Sequence, residues 1–137
     1  MKNNAKELCD IWNKILLDRR IQVCGSDIEG LNVMDLNVLK LAYANPGYRI
    51  KQYLEVLQIP NSTFTNIINR LVKRELLVRK LGEKDLRSFK LELTEKGKSA
   101  VESHLQAEEE VFLVLLSNLT EEEQGTFVKL FAKLVSE

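Results

Sequence analysis

Histidine is almost missing from this sequence. His104 is the only one in 137 residues, so a zinc site would have to draw carboxylates or thiols from scattered places, and no second histidine exists to serve a nucleophile. Neither a G-x-S-x-G turn nor a phosphate-cradling glycine loop occurs, and no enzyme activity, metal or cofactor is expected. Cysteine is scarce too: Cys9 and Cys24 on one helix would stand about 22 Å apart, far beyond the ~7 Å that a disulfide spans. With two prolines, six glycines and no repetitive tract, nothing argues for a linker or a disordered tail. The longest wholly apolar run, Val111 to Leu116, is too short to cross a bilayer, and the charged start MKNNAKELCDIWNKILL lacks a signal-peptide core. A cytoplasmic chain of one domain, residues 1–137, without membrane contact is the expectation.

Net charge is also absent, with 20 Lys+Arg against 20 Asp+Glu, but the charges are not evenly spread. Residues 70–98 hold 10 cations against 5 acids, whereas residues 99–137 hold 2 against 8. Such asymmetry points to an anionic partner meeting one part of the molecule.

What is present is mostly helical periodicity. Leu8, Ile11, Trp12, Ile15 and Leu16 predict an amphipathic helix over residues 3–23. VMDLNVLKLAY, residues 33–43, places Val33, Leu36, Leu39, Leu41 and Tyr43 on a mostly apolar surface, and Asn45-Pro46-Gly47 ends it. YRIKQYLEVLQIP gives a short helix stopped by Pro60, whose ring disfavours helical geometry at Ile59. Asn61 is then a candidate N-cap for a helix in which Phe64, Ile67, Ile68, Leu71 and Val72 form the buried stripe.

The opposite face of that helix carries Ser62, Thr63, Thr65, Asn66, Asn69, Arg70 and Lys73, and no acid. Solvated faces usually mix Glu with Lys, whereas a duplex rejects carboxylates and accepts hydroxyls, amides and cations. Two helices joined by a tight turn, the second of this kind, make a helix-turn-helix. LLVRKL and SFKLEL follow as strands around the turn GEKDLR, with Phe89, Leu91 and Leu93 on one face. The cations Arg79, Lys80, Lys84 and Lys90 on this hairpin suit phosphates, and six such contacts in a dimer would give a log-log salt slope of about −5. The fold class is therefore mainly α with a small β-hairpin wing.

Helical periodicity resumes after Thr94, and the stretch VFLVLL is apolar all round, which demands cover on several sides. A last helix starts at a capping box, Thr120 with Glu123. The clusters Glu108 to Glu110 and Glu121 to Glu123 read as helix surface and a helix start that favours acids. Leu8, Ile11, Trp12 and Ile15 near one chain end, with Phe112, Leu115, Phe127, Leu130, Phe131 and Leu134 near the other, predict a homodimer built from residues 1–24 and 98–137, with residues 33–93 as the DNA-binding lobe.

Residues 60–97, PNSTFTNIINRLVKRELLVRKLGEKDLRSFKLELTEKG, resemble the multiple antibiotic resistance regulator (MarR) family of winged helix-turn-helix repressors. The polar helix, the Asp85-Leu86-Arg87 wing and the closing Leu93-Thr94-x-x-Gly97 occur in that family's order and spacing. The resemblance extends over essentially the whole chain. It implies a triangular homodimer whose recognition helices enter successive major grooves of double-stranded DNA, with Arg87 reaching a flanking minor groove and Asp85 bracing it. It also implies contacts from Ser62, Thr63, Thr65, Asn66 and Arg70, and release of a pseudo-palindromic operator when a small-molecule effector binds. The chain departs from the family's usual residues at Pro60, Asn66 and Glu75, which bears on base preference rather than on the mode of binding.

Two other readings accompany this one. A winged-helix module that binds proteins and not DNA would have an indifferent wing. A thiol-sensing repressor would use Cys9, because peroxide-sensing members of the family carry a reactive cysteine in the first helix; yet no tyrosine precedes Tyr43 to polarise it.

Overall fold

The structure, a computed structural model, describes residues 2–21, 30–81 and 89–136. The chain runs α1 (Asn4–Leu16), a 3-10 turn (Arg19–Ile21), α2 (Val33–Ala44), α3 (Ile50–Leu57), α4 (Asn61–Lys73), β1 (Leu77–Leu81), β2 (Phe89–Leu93), α5 (Glu95–Leu116) and α6 (Glu121–Lys133). It divides into two compact units: Gly25–Leu105, and Met1–Cys24 together with Gln106–Glu137. No helix among the described residues is long and apolar enough to cross a membrane.

The Gly25–Leu105 unit holds the core. Val38 and Leu39 of α2, Tyr53 of α3, and Phe64, Ile67, Ile68 and Leu71 of α4 are buried together with Leu76, Leu77, Leu91, Ala100 and Val101. The aromatic rings interlock: Tyr53 lies 5.5 Å from Phe64 and meets Tyr48 edge-on at 5.5 Å. Burial, with Tyr48 as a lesser cause, pushes the Tyr53 phenol up to about 12.

The α2 stripe differs from the expected one. Asp35, Val38, Leu39 and Ala42 are its buried residues, while Val33 is 73% exposed and Tyr43 stands at the surface, its hydroxyl donating to Glu102 (3.3 Å). The i, i+3, i+4, i+7 spacing is intact but begins at a carboxylate, which apolar periodicity does not register.

The helix-turn-helix turn is Gln58-Ile59-Pro60. Gln58 takes a left-handed conformation (φ 52°), so α3 ends one residue earlier than Pro60 alone requires. Asn61 is not the N-cap of α4: Pro60, extended at φ −61° and ψ 148°, holds that place, and its carbonyl accepts from the Phe64 N–H (3.0 Å). At its far end α4 closes in a Schellman motif: Leu76 N–H donates to the Leu71 carbonyl (3.0 Å), and Glu75 N–H to Val72 (2.9 Å). Glu75 takes the left-handed place at φ 62°.

The wing strands pair antiparallel, with Leu77 opposite Leu93, Arg79 opposite Leu91 and Leu81 opposite Phe89. The Leu93-Thr94-x-x-Gly97 signal has a geometric basis. Thr94 Oγ1 donates to the Glu75 carbonyl (2.6 Å) and accepts from Gly97 N–H (2.9 Å), while Thr94 N–H donates to Leu76 (3.2 Å). This draws Gly97 so close that a Cβ there would lie 2.1 Å from the Leu76 carbonyl oxygen. Only glycine fits.

In the other unit α1 is shorter than residues 3–23. Asn3 caps its start by accepting from Lys6 N–H (3.1 Å), and the helix stops at Leu16. Just beyond, Asp18 turns its carboxylate back on Arg20, accepting from its backbone N–H (2.9 Å) and its guanidinium (2.6 Å). Hydrogen bonds from Arg20 hold the Asp18 carboxyl down at about 2. A short acidic side chain that captures local donors competes with helix continuation. The α6 capping box forms as expected: Glu123 N–H donates to Thr120 Oγ1 (3.2 Å) and Thr120 N–H to Glu123 Oε1 (2.9 Å). Gln124 ties the turn before it by donating to the carbonyls of Leu116 (3.0 Å) and Leu119 (3.2 Å).

Candidate nucleic-acid interface

Helix α4 is two-faced by construction. Its buried stripe of Phe64, Ile67, Ile68 and Leu71 anchors one side in the core, and every residue expected to meet DNA, Ser62, Thr63, Thr65, Asn66, Asn69, Arg70 and Lys73, is exposed. The helix contains no acid. These side chains are nevertheless not all idle. Thr65 Oγ1 donates to the Asn61 carbonyl (2.9 Å), so its hydroxyl faces outward as an acceptor.

Three of the cations are also engaged. Arg70 Nη2 donates to Asp35 Oδ1 (2.6 Å), although half of the arginine side chain stays exposed. Arg79 donates to Asn69 Oδ1, and its guanidinium carbon lies 5.7 Å from the centre of the Phe89 ring. Since guanidinium only donates, the Asn69 amide is turned with its oxygen toward β1 and its NH2 group outward. Lys80 pairs with Glu92 across the hairpin at 2.8 Å, an exposed contact that is weak in water.

Lys84, Asp85 and Arg87, the expected wing tip, lie outside the described residues, as does Cys24. Two exposed cations escaped the sequence reading: Arg49 and Lys51, at the start of α3. The backbone of Arg49 forms a β-bridge with Lys90, bringing the start of α3 beside the wing. The YRIK stretch carried that charge openly; its pairing with a strand 41 positions later left no local mark.

The residues expected to join two chains are largely bare. Leu8, Ile11 and Trp12 on α1, Phe112 on α5, and Phe127, Leu130 and Phe131 on α6 with Leu134 just after it are exposed. Ile15 and Leu115 are half-buried. Phe127 and Phe131 stack on each other at 5.6 Å. Neither α1 nor α6 buries a residue. Cys9 stands exposed on α1.

No protein-family model matches the chain. It is 27% identical over 97 residues to YwhA of Bacillus subtilis, an uncharacterised helix-turn-helix-type transcriptional regulator, covering 71% of this chain and 70% of that protein. Its structure is similar to a MarR-like transcriptional regulator from Thermotoga maritima, with a TM-score of 0.76 and 23% identity over 98% of this chain and 95% of that one. It is also similar to FabT of Streptococcus pneumoniae, solved in complex with DNA, with a TM-score of 0.78 and 22% identity over 95% of this chain and 91% of that one. The chain has the winged helix-turn-helix fold of the MarR-like transcriptional regulators.

Proposed function

We propose that this chain is a DNA-binding transcription regulator of the MarR type, working as a homodimer in the cytoplasm and releasing a pseudo-palindromic operator when a small effector binds. The observation that carries the DNA-binding part is the outer face of α4: hydroxyls, amides and cations without one carboxylate, presented by a helix whose other side is locked into the core. Such a face offers donors and acceptors to base edges, while Lys73 on the same helix, and Arg49, Lys51 and Lys90 where the start of α3 meets the wing, suit phosphates. FabT, a neighbour in fold, was solved on DNA, which favours the same use here. Arg87, beside Asp85 in sequence, is assigned to the flanking minor groove, whose narrow A·T stretches attract guanidinium. Two copies are needed because reading both operator halves takes two recognition helices about 34 Å apart.

Replacing Asn66 by Glu tests the α4 assignment. The variant should lose salt-sensitive duplex binding by about tenfold or more, since a carboxylate faces only repulsion there, while sedimenting like the unaltered protein. Undiminished binding would instead favour a winged-helix module that recognises protein.

A further inference from the structure

Asp35 is the buried charged residue of the core among the described residues, at 2% exposure, and its two oxygens serve two helices. Oδ2 accepts from the Asn32 N–H (3.3 Å), closing the capping box of α2, and Asn32 Oδ1 in turn accepts from Asp35 N–H (2.8 Å). Oδ1 accepts from Arg70 Nη2 at 2.6 Å, 35 residues away on α4. The carboxylate therefore cannot swing away from the arginine without opening the first turn of α2. Arg70 for its part is half exposed on the polar face of α4, so any duplex lying along that face meets a guanidinium whose charge is already matched.

We propose that Asp35 is a specificity-determining positioning residue: by holding Arg70 against the start of α2, it keeps that cation from closing on the DNA backbone. The inference rests on the DNA-binding reading above. An unrestrained arginine beside a groove gains a phosphate contact on any sequence, which adds affinity without discrimination. Paired with Asp35 it behaves as a dipole and displaces no counterion of its own. Arg79 is restrained in a parallel way, by Asn69 and the Phe89 ring, and α4 thus meets DNA chiefly through its neutral hydroxyls and amides.

The test is the salt dependence of binding to a random-sequence duplex pool and to duplexes enriched from it by the unaltered protein. Asp35→Asn preserves shape and can still accept from Asn32, but frees the charge of Arg70. It should bind the random pool more tightly, steepen the log-log salt slope by about 0.9 per protomer, and lower the preference for enriched over random duplex several-fold. The double variant Asp35→Asn, Arg70→Gln keeps a neutral hydrogen-bonded pair and should return the slope to that of the unaltered protein.

An unchanged slope and preference in a folded Asp35→Asn protein, checked by circular dichroism, overturns the proposal. So does a double variant whose slope is shallower than that of the unaltered protein, because Arg70 would then already be meeting phosphate. Should the single variant not fold, the double variant decides by the same criterion. Absence of salt-dependent binding by the unaltered protein is a different outcome: it removes the DNA-binding reading itself, and this inference with it.

Discussion

Glu75 occupies a backbone position suited to glycine. At φ 62° its Cβ crowds the carbonyl that follows, a cost that glycine avoids at the end of a helix. Glu75→Gly should stabilise the protein by about 1 kcal/mol, read as a rise of a few degrees in Tm or a higher urea midpoint without change of slope. The sequence marks this residue as unusual for the resemblance, but the left-handed turn arises from hydrogen bonds to Leu71 and Val72 that only the folded helix end supplies. Tyr53 gives a second residue-scale prediction. Its phenol is raised from 10.0 to about 12 by burial, so the folded chain holds this proton where the unfolded chain has lost it. That contribution is fully present below pH 10 and disappears as pH rises toward 12. Tyr53→Phe should accordingly show a flatter loss of stability with pH over this alkaline range, measured by denaturant unfolding at successive pH values.

At the scale of elements, what could be read from the sequence was whatever repeats locally. The stripe of Phe64, Ile67, Ile68 and Leu71, the alternation of Phe89, Leu91 and Leu93, and the capping box at Thr120 all follow from spacing within a few residues, and all are present. The failures have the opposite character. Apolar spacing runs on past Leu16, where α1 stops as Asp18 captures Arg20, and it misses the α2 stripe because that stripe begins at Asp35, whose partner Arg70 comes 35 residues later. Arg70 and Arg79 read from the sequence as bare cations for the same reason. Their engagements with Asp35 and Asn69 are tertiary and leave no periodicity. The junction of β2 with α5 offers an element-scale test: Gly97→Ala would push a methyl into the Leu76 carbonyl and should cost ~2–3 kcal/mol. Thermal unfolding measures this directly, and the loss should exceed that of alanine at Gly125, around which nothing lies within 4 Å.

The whole molecule has a division that its composition conceals. The basic stretch 70–98 falls in the Gly25–Leu105 unit, and most of the acidic stretch 99–137 falls in the other. That second unit exposes apolar side chains along α1, α6 and the end of α5, with Leu130 at 57% and Phe131 at 52%, more than isolated surface residues explain. If these faces join two chains, the unaltered protein should sediment near twice 15.8 kDa, and Leu130→Glu should shift it to the mass of one chain while weakening duplex binding. A Leu130→Glu protein that remains twofold would locate the joining surface elsewhere. The dimer could be argued from sequence only as a surplus of apolar residues, because a surplus does not say which copy, or which partner, covers it.

The doubled duty of Asp35 also bears on how such a chain can change its target over time. If α4 meets a duplex as proposed, its exposed Ser62, Thr63 and Asn66 are open to drift one at a time as an operator changes. Asp35 answers at once to the first turn of α2 and to Arg70, so a single substitution there must satisfy two helices together. Among related regulators that share this pairing, the position slowest to diverge should be one that never touches DNA.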